Sequence, residues 1–167
     1  MDFPIQFCTS ADGVRIAYTA IGEGRTLVAV PTWSANFELD WQHSDGRGYI
    51  EDLSHGRRLV LFDRRGCGSS QRDVDDLSLD AHVGDVASLA DHLALDRFDL
   101  WGDKDGAAVA VAYATRYPER VSRLVLWAPF ACAADIGPSE AHRSLAELAR
   151  GNWGLFRRAL AKLRSPS

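Results

Sequence analysis

The chain has 167 residues, 46% of them hydrophobic and 25% charged, the balance of a single globular domain able to bury a sizeable core. Its 19 Lys+Arg against 23 Asp+Glu give a formal net charge of −4, so composition supplies no broad attraction to nucleic acid. Collagen-like, coiled-coil and wholly disordered chains are excluded on the same grounds. The longest apolar stretches run to about six residues where a membrane span needs roughly 20, and the opening MDFPIQFCTS lacks the basic start and apolar run of a secretory signal. Cys8, Cys67 and Cys132 are widely spaced and form no CxxC pair. That pattern implies free thiols in a reducing cytoplasm, with no disulfide framework, no metal site and no other cofactor. A cytoplasmic protein binding neither membrane nor nucleic acid is expected.

In chain order, Gln6–Thr9 and residues 14–20 are β-rich and flank the turn signal Ser10-Ala11-Asp12-Gly13, which predicts a hairpin. Residues 26–31 (TLVAVP) and 58–62 (RLVLF) are short apolar runs suited to buried parallel strands. Between them, 49–55 predicts a short helix. Over 78–95, Leu79, Val83, Val86, Ala90 and Leu93 recur near helical spacing, with Ser78 placed to cap the first turn and Asp80 within it. A third buried strand, 98–101, leads into an Ala/Val-rich helix from about 105 to 116 that must end near Pro118. Val121–Trp127 is a fourth. A loop over 131–138 precedes two amphipathic helical segments, 139–150 and 153–164; Trp153, Phe156, Leu160 and Leu163 share one face of the second. Strands alternating with helices after an opening hairpin predict an α/β fold, a mostly parallel sheet with helices on both faces in a three-layer sandwich. The division expected is a core over 1–130 and a helical tail over 131–167.

The strand at 98–101 runs into Gly102-Asp103-Lys104-Asp105-Gly106 and then straight into a helix. In a strand–G-x-X-x-G–helix turn the central residue takes a strained positive φ, and tiny flanking residues let strand and helix approach. Asp63-Arg64-Arg65-Gly66-Cys67-Gly68-Ser69-Ser70 follows the second apolar strand, and Arg116-Tyr117-Pro118-Glu119-Arg120-Val121 joins the later helix to the fourth. These motifs, in this order, resemble the nucleophile elbow, the D-x-R-G-x-G-x-S loop and the R-Y-P-E-R-V junction of the α/β-hydrolase fold superfamily. Residues 7–18 look like the first hairpin of a subgroup often fused to cyclase or LuxR-type regulator domains. The resemblance spans about residues 5–130 and implies strand order 1-2-4-3-5-6, a shortened version of the family's sheet.

The family's chemistry needs a serine, or in some branches an aspartate, at the elbow apex, followed by an acid and a histidine. Here the apex is Lys104, which has no hydroxyl to deprotonate. An amine attacks only when neutral, and the adjacent Asp103 and Asp105 favour the ammonium. None of His43, His55, His82, His92 and His142 occupies the family's histidine position, and Asp135 has no oriented histidine to hold. His82 and His92 are expected on the surface of the helix before the elbow, and His43 in a loop (residues 40–43) near the mouth of the site. Cys67 is expected as a small space-filler. The resemblance implies that an oxyanion hole survives, formed by the backbone N–H of Asp105 with that of Thr32 or Trp33, able to take a small anion or carbonyl ligand.

The expectation is therefore a non-catalytic binding or assembly module. The alternative is an ester hydrolase that uses an unusual site or residues from a partner chain. The resemblance also implies that Val121–Trp127 forms an open, apolar sheet edge, covered either by the helices of 139–164 folded back or by a second copy; a homodimer paired through that strand is the expectation.

Overall fold

The computed structural model describes residues 4–129, 140–152 and 154–156. The chain divides into two compact units after Pro129. In the first, the turn at Gly13 closes a hairpin of β1 (Gln6–Thr9) and β2 (Arg15–Ile21), with Cys8 opposite Ile16. β2 pairs antiparallel with β4 (Arg57–Phe62). From there the sheet is parallel: β4 lies beside β3 (Arg25–Val30), β3 beside β5 (Phe98–Asp103), and β5 beside β6 (Val121–Trp127). The order is β1-β2-β4-β3-β5-β6, as the family resemblance implied.

Alternation along the central strands sorts their side chains into two cores. Val28, Val30, Val60, Phe62 and Leu100 pack with α3 (Leu79–His92) and α4 (Gly106–Arg116) on one face. Leu27, Ala29 and Leu59 pack with Ile50 and Leu53 of α2 (Ser44–Ser54) on the other. Because β3 is continued by β4 on one side and β5 on the other, the chain reverses direction across the sheet at β3. The crevice beyond the carboxyl ends of β3 and β5 is such a switch point, where open α/β sheets build their sites.

Three sequence expectations change. The segment read as a loop at 40–43 belongs to a short helix, α1 (Phe37–Gln42), whose Asn36 side chain caps the Leu39 N–H at 2.9 Å. α2 begins at Ser44 rather than 49: Gly46 and Gly48 lower its intrinsic propensity, but burial of Ile50 and Leu53 overrides that. In α3, capped by Ser78 as expected, the buried face is His82, Val83, Asp85, Val86, Leu89 and Ala90. The stripe is thus rotated: Leu79 is exposed, and His82, expected at the surface, is buried at 8% exposure.

β6 has one strand neighbour, β5, among the described residues, and Leu124, Val125 and Trp127 on it are exposed. The second unit contains α5 (Glu140–Gly151) and a helical stretch at 154–156. The rest of the expected 153–164 helix, with Trp153, Leu160 and Leu163, lies outside the described residues, as do Cys132, Asp135 and the 131–138 loop. Among the described residues no helix is long and apolar enough to cross a membrane, and no group of His, Cys, Asp or Glu is arranged to hold a metal.

Candidate functional site

The elbow is set by two glycines. A Cβ at Gly102 would stand 2.6 Å from the Cα of Ala107, and one at Gly106 would stand 2.5 Å from the Val30 carbonyl oxygen. Both are closer than any side chain tolerates, so β5 and α4 meet at this distance only with glycine at both positions. Lys104 between them has φ +49, the left-handed conformation that a non-glycine residue adopts at a cost. Its N–H donates to the Trp127 carbonyl at 2.9 Å and its carbonyl accepts from the Ala107 N–H at 3.1 Å, which pins the turn. The Lys104 side chain stands in solvent, its Nζ 4.0 Å from Asp103 Oδ2.

The neighbouring carboxylate, Asp105, points inward and is held from two segments. Thr32 Oγ1 donates to its Oδ1 at 2.5 Å, and the Trp33 N–H donates to both oxygens at 3.3 and 3.2 Å. Arg64 Nη1 pairs with Oδ2 at 2.5 Å. Thr32 and Trp33 follow β3, Arg64 follows β4 and Asp105 follows β5, so the cradle sits across the switch point. The Trp33 peptide is fixed at its other end too, where its carbonyl accepts from Cys67 Sγ at 2.9 Å. Burial pushes the Cys67 thiol up, which keeps it a donor rather than a thiolate. Thr32, Trp33 and Asp105 thus lie together at the carboxyl end of the sheet. The anion among them is the Asp105 side chain, however, and Thr32 contributes its hydroxyl.

The residue after Arg64, Arg65, is fully buried and clamps two carboxylates. It reaches Asp85 through Nε and Nη2, at 2.8 and 2.7 Å, and Asp12 through Nη1 and Nη2, at 2.8 and 3.0 Å. Hydrogen bonds to Asp85 raise its pKa and keep it charged. Burial works against ionisation of Asp85 while Arg65 favours it, and the bidentate geometry makes the ion pair the state to expect. Asp63 accepts from the Phe37 and Ser69 N–H groups, at 3.1 and 2.7 Å, yet burial pushes it up to about 6. His82 Nδ1 lies 3.9 Å from Asp85 Oδ2. Burial, then the nearby Arg64 and Arg65 charges, lower the imidazole to about 4, with Asp105 and Asp76 acting weakly the other way. His82 is therefore neutral near pH 7.

His43 is exposed where α1 meets α2; its N–H donates to the Leu39 carbonyl and its carbonyl accepts from the Arg47 N–H. Arg64 and His82 escaped the sequence reading as members of the site. Arg64 occupies the unspecified position of the D-x-R-G pattern, so no motif marks it. Its partner lies 41 residues away, at a position valued in sequence for its backbone alone. The only available signal was the opposite charge of two residues that the motif order sends to the same end of the sheet.

Residues 25–164 match the family model for the alpha/beta hydrolase fold. The chain belongs to the α/β-hydrolase fold family. A 2-hydroxy-6-oxo-2,4-heptadienoate hydrolase from Pseudomonas putida is 34% identical over 117 residues, which cover 70% of this chain and 41% of that protein. A non-heme chloroperoxidase from Streptomyces lividans is 31% identical over 121 residues, covering 71% of this chain and 42% of the relative. The chain thus spans less than half the length of these relatives. Among solved structures, an esterase from Exiguobacterium antarcticum aligns with TM-score 0.76 at 22% identity, over 94% of this chain and 60% of that one, a likeness of fold alone.

Proposed function

We propose that this α/β-hydrolase-fold chain is a non-catalytic binding or assembly module. The observation that carries the reading is the elbow itself: an exposed ammonium at the strained apex, beside a carboxylate seated where the fold would bind a developing oxyanion. Lys104 offers no oxygen nucleophile for an acyl-enzyme route. Asp105 places negative charge among donors that would otherwise stabilise negative charge in a transition state, which opposes acyl transfer. The relatives are hydrolases and a chloroperoxidase by name, so the second reading is an ester hydrolase completed by an unusual site or by residues of a partner chain. As partner, the module reading favours a second copy paired along β6, because Leu124, Val125 and Trp127 leave that edge apolar and exposed.

The test is hydrolysis of a p-nitrophenyl ester series by the wild type, Lys104→Ser and Lys104→Ala. The expected result is turnover at the buffer rate in all three. Turnover by the wild type that Lys104→Ala abolishes would establish the hydrolase reading instead.

A further inference from the structure

The donors around Asp105 make a complete receptor for one carboxylate group. A guanidinium, a hydroxyl and a peptide N–H converge on two oxygens, with contacts of 2.5 to 3.3 Å. Charge-assisted bonds of this kind are the strong ones, and arginine beside a peptide donor is a common solution for carboxylate recognition. Arg64 is 9% exposed, so its guanidinium meets Asp105 largely withdrawn from water, where a charge-assisted bond is strongest. The Asp105 carboxylate is not itself sealed in: its side chain keeps 25% of its surface in solvent, so the position is reachable from outside.

We propose that the crevice above β3 and β5 is a receptor for a small monocarboxylate, occupied in the free chain by the Asp105 side chain as an internal ligand. Asp105 closes the receptor to external carboxylates, and its withdrawal opens a site shaped by Arg64, Thr32 and the Trp33 N–H. The backbone at position 105 is ordinary right-handed helical, φ −70 and ψ −23, so alanine fits there without strain. Asp105→Ala removes one carboxylate group and leaves the three donors facing the space it filled. Formate replaces that group most closely.

The inference stands on the cradle's geometry and uses no catalytic step, so its failure is distinguishable from failure of the non-catalytic reading, which ester turnover decides. The experiment measures thermal unfolding of wild type, Asp105→Ala and Arg64→Gln/Asp105→Ala in sodium formate up to 100 mM, with sodium chloride holding ionic strength constant and formamide as the neutral isostere. Asp105→Ala is expected to melt lower than wild type and to recover about 4 °C in formate, along a saturating curve. Wild type and the double variant are expected not to respond, and formamide to restore nothing. If Asp105→Ala does not fold unaided, it is expected to regain its far-ultraviolet circular dichroism when refolded into formate but not into chloride. The proposal is overturned if Asp105→Ala responds to formate no more than to chloride, if wild type responds equally, or if the Arg64→Gln/Asp105→Ala variant keeps the response.

Discussion

Lys104 and Arg65 show how differently a cation behaves at the two ends of the burial scale. At φ +49 the Lys104 backbone carries the cost of a Cβ in the left-handed region, while its ammonium, exposed and 4.0 Å from Asp103, returns little. Lys104→Gly is therefore expected to stabilise the fold by about 1 kcal/mol in urea denaturation; a loss of stability would mean that the side chain makes an unrecognised contribution. Arg65 is the reverse case. It ties the β1–β2 turn (Asp12) to α3 (Asp85) with paired bonds to each. Arg65→Met strands the Asp85 charge in the core, and the expected loss is about 3–5 kcal/mol, read from the same denaturation curves. His82 supplies a pH signature. Held neutral down to about 4 when folded, it titrates near 6.5 when unfolded. Between those values the unfolded chain binds the additional proton, so stability falls as pH drops from 6.5 to 4. Asp63 acts oppositely, stability being lost as pH rises from 3.8 through about 6. His82→Gln should therefore gain on the wild type as pH falls from 6.5 to 4, by up to about 3 kcal/mol. The groups facing His82 are Arg64, Arg65, Asp76, Asp85 and Asp105, and an unchanged difference across that range would place its titration elsewhere.

At the scale of elements, the elbow is a packing constraint before it is a chemical one. Gly102→Ala brings a methyl group against the Ala107 backbone and is expected to cost about 2 kcal/mol or more, with the β5–α4 junction opening. A neutral outcome in thermal melting would show that the helix can retreat. The strands were legible because buried parallel strands are continuous apolar runs: 26–31, 58–62 and 98–101 anticipated β3, β4 and β5 to within a residue or two. α1 was not legible, since six residues carry too few turns for a period, although Asn36 before Phe37 and Glu38 was a usable start signal. The rotation of α3 was hidden for a different reason. His82 and Asp85 look like surface residues until Arg65, from another element, draws Asp85 inward. The Gly102–Gly106 turn and its lysine apex were readable in sequence; the Arg64–Asp105 closure, made across 41 residues between positions no motif specifies, was not.

At the scale of the whole molecule, β6 has β5 as its one strand neighbour among the described residues. Leu124, Val125 and Trp127 are exposed, and pairing with a second β6 would satisfy the backbone along that edge and place a neighbouring strand beside those side chains. Sedimentation at tens of micromolar is expected to show a dimer that Val125→Lys dissociates; a wild-type monomer contradicts this. The central claim concerns the elbow, and the pH–rate profile of p-nitrophenyl acetate hydrolysis from pH 6 to 10, wild type against Lys104→Ala, tests it most directly. An amine nucleophile would make the wild-type rate climb as its proton leaves, with the climb absent from the variant. The expected result is two profiles that coincide at every pH, and a rising limb that belongs to Lys104 would contradict it.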